Sequence, residues 1–171
     1  MSRWLAALPL IALAAMALLF GLFALKHDPH IQPQALVGKP APDLVLPSLD
    51  DGRPTRLRAA TEGPTLINLF ASWCAPCEIE HPVLMSLEAD GVKVVGVAYK
   101  DAPDNTKAFL ARLGDPYAAR LVDRDGRGGI ELGVTGVPET YLVGADGVIL
   151  AKHTGPLTPK AAQELLARSR R

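Results

Sequence analysis

Two cysteines are the residues of this chain whose type and spacing most directly suggest chemistry. They are the only cysteines among the 171 residues, and they lie three positions apart as Cys74 and Cys77 in the segment Trp-Cys-Ala-Pro-Cys. A structural disulfide stabilises a fold mainly by closing a long loop, and this pair would close a very short one. The spacing therefore favours a reactive pair that exchanges its disulfide with other thiols.

The position of the pair along the chain supports that hypothesis. Residues 66–70 form a short apolar run typical of a strand buried on both faces, and a helix is predicted from about residue 76 to 89. A thiolate in the first turn of a helix is stabilised by free N–H groups and by the positive end of the helix dipole. We therefore predict that Cys74 is the accessible nucleophile and that Cys77, about one turn further on, is the resolving thiol.

A metal site is the alternative use of two closely spaced cysteines. Tetrahedral zinc requires two further cysteine or histidine ligands. The chain contains only four histidines, at positions 27, 30, 81 and 153. The first two fall in a predicted linker, and His81 follows Cys77 too closely in one helix to be assumed a ligand. We therefore predict no metal site.

The elements around the cysteines predict an α/β fold. Strands are expected near residues 44–49, with Leu57 in the return arm of a hairpin, and at 66–70, 92–99, 119–122, 140–143 and 148–151. Helices are expected at 76–89, at 104–113, as a turn at 129–132, and after Thr158-Pro159. The candidate core positions of the first two helices are Ile79, Val83, Leu84, Leu87, Ala108, Leu110 and Leu113. Strands separated by helices imply parallel pairing, and the Asp-Gly turn at 146–147 adds an antiparallel hairpin, so we expect a mixed central sheet with helices on both faces.

The first 25 residues indicate a membrane segment. No charged side chain occurs over residues 4–25, and as a helix this run would be about 33 Å long, enough for a bilayer core of about 30 Å. Arg3 before the run favours a cytoplasmic N-terminus and an exported remainder. A cleaved signal peptide is the alternative, but the run is long and ends without a small-x-small cleavage site. We predict a transmembrane anchor over 1–25, a linker over 26–37 and a folded domain over 38–171.

The charge balance argues against nucleic acid as a partner. Lysine plus arginine and aspartate plus glutamate each number 18. A nucleic-acid-binding domain would carry an excess of basic residues on one face. We therefore predict no nucleic-acid partner.

A second motif, Gly-Val-Pro-Glu-Thr at 136–140, precedes the predicted hairpin. Taken alone, Pro138 fits an ordinary proline at the start of a strand, because only about 5–6% of X–Pro bonds in folded proteins are cis. Together with the cysteine motif it resembles the thioredoxin superfamily, in which this proline is cis and packs against the active-site disulfide. The resemblance implies a cis Val137–Pro138 bond, with Val137 pairing to a substrate strand.

Further motifs narrow the resemblance. Glu-His-Pro at 80–82, Tyr-Lys-Asp at 99–101, Val-Pro-Glu-Thr at 137–140 and Gly-Pro-Leu-Thr-Pro at 155–159 make the chain similar to the DsbE/CcmG family of anchored periplasmic thioredoxins. That family implies a thiol–disulfide oxidoreductase of the inner membrane that reduces the haem-site cysteines of apocytochrome c. It also implies recharging by a membrane electron donor of the DsbD/CcdA type and no cofactor besides the Cys74–Cys77 disulfide.

The resemblance also suggests residues that support the cysteines. Thioredoxin has a buried aspartate where this chain has Asn68, which cannot ionise; Glu80 and Glu139 match family acids that could replace it. The alternative for both acids is an ordinary exposed face, as expected for Glu78. Trp73 is expected at the rim of the active site and Pro76 within it, while Tyr99 and Tyr141 are interpreted as plain strand aromatics.

Two other functions remain open from the sequence. A related anchored reductant could serve another client, such as a copper-site assembly protein. A non-enzymatic metal or haem chaperone could instead use Cys74 and Cys77 as soft ligands, and would need no Pro138.

Overall fold

The computed structural model describes residues 3–23, 36–61 and 63–170. The chain divides into two compact units, Met1–Gln32 and Pro33–Arg171. The first unit contains helix α1 (Arg3–Phe23), an apolar helix whose described side chains are exposed. Among the described residues, no helix combines the length and apolarity that a membrane crossing requires. Positions 26–35 of the predicted linker lie outside the described residues.

The second unit is built on a five-stranded mixed sheet in the order β5-β4-β3-β6-β7. The parallel strands are β3 (Thr65–Phe70), β4 (Val94–Tyr99) and β5 (Ala119–Asp123). Strand β6 (Glu139–Val143) runs antiparallel to β3, and β7 (Ile149–Thr154) antiparallel to β6. The parallel and antiparallel pairs together confirm the expected mixed sheet, and the β6–β7 pair confirms its closing hairpin.

Helices cover both faces of this sheet. The long ones are α3 (Ala75–Ala89), α4 (Pro103–Leu113) and α6 (Pro159–Leu166), and their buried side chains share one core with the cysteines. The opposite face packs against the hairpin of β1 (Val45–Pro47) and β2 (Pro54–Arg56), the short helix α2 (Leu57–Ala60) and the end of α5 (Arg127–Glu131). A 3-10 turn, Ala167–Arg170, follows α6. The Thr158 side chain caps α6 by accepting the Ala161 N–H at 3.2 Å.

Three expectations about individual positions are wrong. Leu57 begins α2 instead of continuing the return arm of the first hairpin. Ile79 is 72% exposed, and Ala108 is exposed while Phe109 is buried. Ile79 and Ala108 each lie two positions after a core-facing residue of the same helix, Cys77 and Thr106 respectively. Two positions correspond to about 200° around the helix axis, so these side chains point away from the core.

Candidate active site

The cysteines form a disulfide at the start of α3. The Sγ–Sγ distance is 2.00 Å, and the exposed fractions of the two residues are 4% for Cys74 and 1% for Cys77. Cys74 is the N-cap of the helix, and its Sγ accepts the Cys77 N–H at 3.2 Å. Pro76 occupies the first turn, where the missing N–H removes no intrahelical bond. A Cys74 thiolate would therefore meet free N–H groups and the positive end of α3.

Trp73 forms the exposed rim beside the disulfide. The residue is 59% exposed, and its indole Nε1–H donates to the Lys100 carbonyl oxygen at 3.2 Å. Trp73 therefore lies outside the core, and its support of the active site stays a prediction.

The proline motif lies at the same edge of the sheet as the disulfide. The Val137–Pro138 bond is cis, as the resemblance implies. Glu139 pairs with Leu69 near the end of β3, so the preceding Pro138 lies beside the point where β3 leads into the cysteine segment. Val137 packs against the core cluster that contains both cysteines. Pairing of Val137 with a substrate strand stays a prediction.

Glu80 is buried beneath the disulfide, so the exposed-face alternative is wrong for this residue. It is 1% exposed and lies three residues after Cys77 on α3, on the same face of the helix. Its carboxyl accepts the Asn68 Nδ2–H at 2.8 Å and the Leu157 N–H at 2.7 Å. Burial raises the pKa of Glu80 to about 7, and these two hydrogen bonds offset part of that rise.

Asn68 connects Glu80 to the rest of the sheet. Its Nδ2 also donates to Thr140 Oγ1 at 3.1 Å, and its Oδ1 accepts the Tyr117 hydroxyl at 2.9 Å. Tyr117 stacks on Phe70, and burial raises the pKa of the Tyr117 phenol well above its usual value. The network fixes the orientation of the Glu80 carboxyl. The sequence did not point to Tyr117, because its partner Asn68 is far away along the chain.

Glu139 is also buried, but it lies on the opposite face of the sheet. It is 0% exposed, and Lys152 Nζ lies 2.9 Å from its Oε2, with both side chains fully buried. Thr135 donates to Oε1 through its N–H at 3.2 Å and its hydroxyl at 2.6 Å. The exposed-face alternative is therefore wrong here too. Because Lys152 balances its charge, the geometry favours Glu80 over Glu139 as the acid that influences the disulfide.

Tyr141 is a buried core aromatic of strand β6, in agreement with its interpretation as a strand aromatic, and its hydroxyl belongs to the Glu139 cluster. Its hydroxyl lies 2.9 Å from both Leu132 O and Glu139 Oε2. Burial, followed by the neighbouring Glu139 charge, raises the pKa of the Tyr141 phenol. Tyr141 pairs directly with Lys152 across β6 and β7, which places both on one face of the sheet. Lys152 was not predicted as a buried residue. The available signal was its position in a strand, because alternate residues of a strand face the same side of the sheet.

Glu78 and His81 are held by contacts away from the disulfide. Exposed Glu78 pairs with Arg112 at 2.7 Å, and this hydrogen bond lowers the pKa of Glu78. His81 Nε2 lies 3.0 Å from Gly114 O, and the ring packs edge-on against Phe109. Within the described part of the chain, no group of three His, Cys, Asp or Glu side chains could hold a metal ion.

Comparison with known proteins agrees with this geometry. The Redoxin family model matches residues 36–166. The thiol:disulfide interchange protein HelX of Rhodobacter capsulatus is 44% identical over 140 residues, which cover 81% of this chain and 80% of the relative. The thiol:disulfide interchange protein DsbE of Pseudomonas fluorescens is 40% identical over 170 residues, covering 98% of this chain and 93% of the relative.

Solved structures show the same fold. A protein from Chlorobium tepidum assigned as the thiol:disulfide interchange protein DsbE is similar with a TM-score of 0.64 and 27% identity. The match covers 76% of this chain and 95% of that protein. The names of these relatives refer to thiol–disulfide exchange, which agrees with the Cys74–Cys77 disulfide of this chain.

Proposed function

The chain belongs to the redoxin family and, within it, to the DsbE/CcmG group of thioredoxin-fold thiol–disulfide oxidoreductases, and from this premise we propose that it reduces the haem-site cysteines of apocytochrome c in the bacterial periplasm. The observation that carries the thiol chemistry is the Cys74–Cys77 disulfide at the N-terminus of α3. The apocytochrome client is supported by the Tyr-Lys-Asp and Val-Pro-Glu-Thr motifs that make the chain similar to that group.

The reaction is a two-electron exchange of disulfides. In the reduced protein, the Cys74 thiolate attacks one sulfur of the substrate disulfide; that S–S bond breaks, and the leaving thiolate takes up a proton. Cys77 loses its proton and attacks Cys74 Sγ in the mixed disulfide, which releases the second substrate thiol. The substrate gains two electrons and two protons, and the Cys74–Cys77 disulfide shown in the structure is the oxidised product.

The remaining parts of the proposal follow from the same exchange. A membrane dithiol donor of the DsbD/CcdA type would return the two electrons to Cys74 and Cys77. No bound cofactor is needed, because the disulfide itself carries the electrons. Glu80 is proposed to accept or release the proton of Cys77, since it is buried one turn along the same helix with a pKa raised to about 7.

We also propose that the N-terminal segment anchors the domain in the inner membrane, with the thioredoxin-like domain over residues 38–171 in the periplasm. The support is the uncharged run over residues 4–25, which continues beyond α1. The Pseudomonas fluorescens relative aligns over 98% of this chain, so the N-terminal segment is included in that similarity.

The test is to trap the client in cells. Cys77→Ser removes the resolving thiol, so we expect a covalent complex through Cys74 whose partner, identified by mass spectrometry, is apocytochrome c or another cytochrome c maturation component. Cys74→Ser is the matched control and should trap nothing. A copper-site assembly protein in the complex would favour the related reductant. Stoichiometric Cu(I) or haem binding by the purified protein, with no trapped partner, would favour the chaperone.

A further inference from the structure

The Tyr-Lys-Asp segment at 99–101 lies directly beside the residues that lead into Cys74. Strands β3 and β4 are parallel neighbours, with Phe70 opposite Ala98. The segments that follow these two strands therefore emerge side by side at the same edge of the sheet. Residues 71–74 connect the end of β3 to the start of α3. A contact with these residues can therefore affect the position of Cys74 at the N-terminus of α3.

Asp101 binds the residue two positions before Cys74 at two points. The Ser72 N–H donates to Asp101 Oδ2 at 2.7 Å, and the Ser72 hydroxyl donates to Oδ1 at 2.8 Å. Asp101 is 3% exposed, so these bonds to a carboxylate are shielded from water.

The same carboxylate is fixed to α4. Oδ1 accepts the Ala102 N–H at 2.9 Å, and Oδ2 accepts the Thr106 hydroxyl at 2.9 Å. Thr106 is buried on the core face of the helix. Asp101 therefore joins the cysteine segment to a packed helix instead of to a free loop.

Lys100 binds the next residue of the cysteine segment. Its carbonyl oxygen accepts the indole N–H of Trp73, and its own N–H donates to Asp123 O at 2.8 Å. Lys100 adopts a left-handed conformation with φ of 49°, which is uncommon for a residue other than glycine. Such a conformation persists where the surrounding contacts determine it, and it occurs frequently near active sites.

Two glycines make room for this segment. A side chain at Gly129 would overlap the ring of Tyr99, and one at Gly126 would overlap the Lys100 side chain. The Tyr-Lys-Asp segment therefore packs against the turn that begins α5 and also contacts residues 72 and 73.

We infer that Asp101 is a positioning residue for the redox reaction: together with the Lys100 carbonyl, it holds Ser72 and Trp73 so that Cys74 is presented at the N-terminus of α3. The inference rests on the thiol–disulfide exchange activity and is independent of the client. It assigns a role to the Tyr-Lys-Asp motif, whose carboxylate touches neither cysteine in the described contacts.

The test measures Cys74 reactivity in the purified reduced protein, with iodoacetamide and with oxidised glutathione. Asp101→Ala should slow both reactions about tenfold, which corresponds to about 1.4 kcal/mol in activation free energy. Ser72→Ala keeps the Asp101 charge and should slow them by a smaller factor, with the pH midpoint of Cys74 alkylation shifted upward because the thiolate is less well placed. Ser72→Thr retains the hydroxyl and should restore the normal rate.

Ile149→Ala is the control for lost stability. Ile149 is fully buried in the core on the opposite face of the sheet and pairs with Val143 at the end of β6 that lies away from Pro138. Ile149→Ala should lower the free energy of unfolding, as large-to-small core substitutions do, but leave the Cys74 rates unchanged. Equal slowing by Asp101→Ala and Ile149→Ala would overturn the inference, as would unchanged rates in Asp101→Ala. A lowered pH midpoint in Asp101→Asn with an unaffected Ser72→Ala would assign Asp101 an electrostatic role instead.

Discussion

At the scale of single residues, the two acids suggested by the sequence have different environments. Glu80 shares the disulfide side of the sheet and, within the described part of the chain, accepts hydrogen bonds from the neutral groups of Asn68 and Leu157. Glu139 lies on the other side and contacts the Lys152 ammonium group. A buried carboxyl without a neighbouring cation favours its neutral form, whereas one paired with a cation can remain ionised. These environments support Glu80, and not Glu139, as the acid proposed to exchange a proton with Cys77.

Glu80 should make the stability of the protein depend on pH. Its pKa is about 7 in the folded protein against an ordinary value of 4.5, so folding favours the protonated form. The stability that this group contributes is complete below about pH 4.5 and is lost as the pH rises through about 7. The loss should reach roughly 3 kcal/mol, since each unit of pKa difference corresponds to about 1.4 kcal/mol.

Glu80→Gln removes this titration and is the test. Urea unfolding should show the free energy of unfolding of the wild type falling relative to the variant between about pH 4.5 and about pH 7. Glu78→Gln is the control two positions away: Glu78 is exposed, and Arg112 lowers its pKa, so its carboxyl is already ionised across that range. A constant difference between wild type and Glu80→Gln would contradict the assignment.

At the scale of elements, the sequence predicted the core strands and helices well but not the partners of the buried polar residues. The continuous apolar run of β3, the N-cap at Thr158 and the Asp-Gly hairpin are encoded over a few neighbouring residues. The burial of Glu80 depends on Leu157, which is 77 positions away, and that of Glu139 on a lysine of the next strand. Such burial results from tertiary packing, and a local pattern of charged residues on a helix or strand cannot distinguish it from exposure.

The cysteine pair could be recognised because its chemistry is local, whereas the residues that hold it could not. The cysteine pair follows from one short motif, and the cis Val137–Pro138 bond follows from the family resemblance that this motif and the proline motif carry together. The contacts of Asp101 with Ser72 require the parallel register of β3 and β4, which the sequence alone does not provide.

The pair formed by Glu139 and Lys152 should stabilise the segment that leads into β6. Lys152 Nζ also donates to Gly133 O at 2.9 Å, so it joins β7 to the residues before Pro138. Lys152→Met leaves the Glu139 carboxylate buried without its partner, which typically costs about 3–5 kcal/mol. The double variant Glu139→Gln/Lys152→Met should lose much less than the sum of the two single variants, because no buried charge remains.

Chemical denaturation of the four proteins measures this coupling. The matched control is the exposed pair of Lys160 and Glu164 on α6, whose charged atoms lie 3.8 Å apart and which should show no measurable coupling. Additive effects of the Glu139 and Lys152 substitutions would show that the pair does not act as a unit.

At the scale of the whole molecule, the proposed topology separates an apolar N-terminal unit from the redox domain. The second unit carries the disulfide, Glu80 and the cis-proline segment within one fold, so the chemistry requires nothing from the first unit. A reductant that is confined to the membrane surface remains close to a membrane electron donor, which raises the effective concentration of each partner for the other. The N-terminal segment is therefore expected to affect recharging in cells without changing the intrinsic exchange reaction.

Cell fractionation and protease protection test this topology. We expect the full-length chain in the inner membrane, with residues beyond Lys26 digested only when protease reaches the periplasmic side. The reason is that the uncharged run over residues 4–25 is long enough to cross the bilayer and that Arg3 precedes it.

A variant with Leu13→Arg and Leu18→Arg places two charges in the run and should release the protein from the membrane or prevent its export. Each charge near the centre of a membrane helix costs about 2.5–3.5 kcal/mol. Ser2→Arg adds a charge before the run instead and should retain both insertion and orientation. Recovery of a soluble mature protein that begins near residue 25 would show that the segment is a cleaved signal peptide, and the redox domain would then work without an anchor.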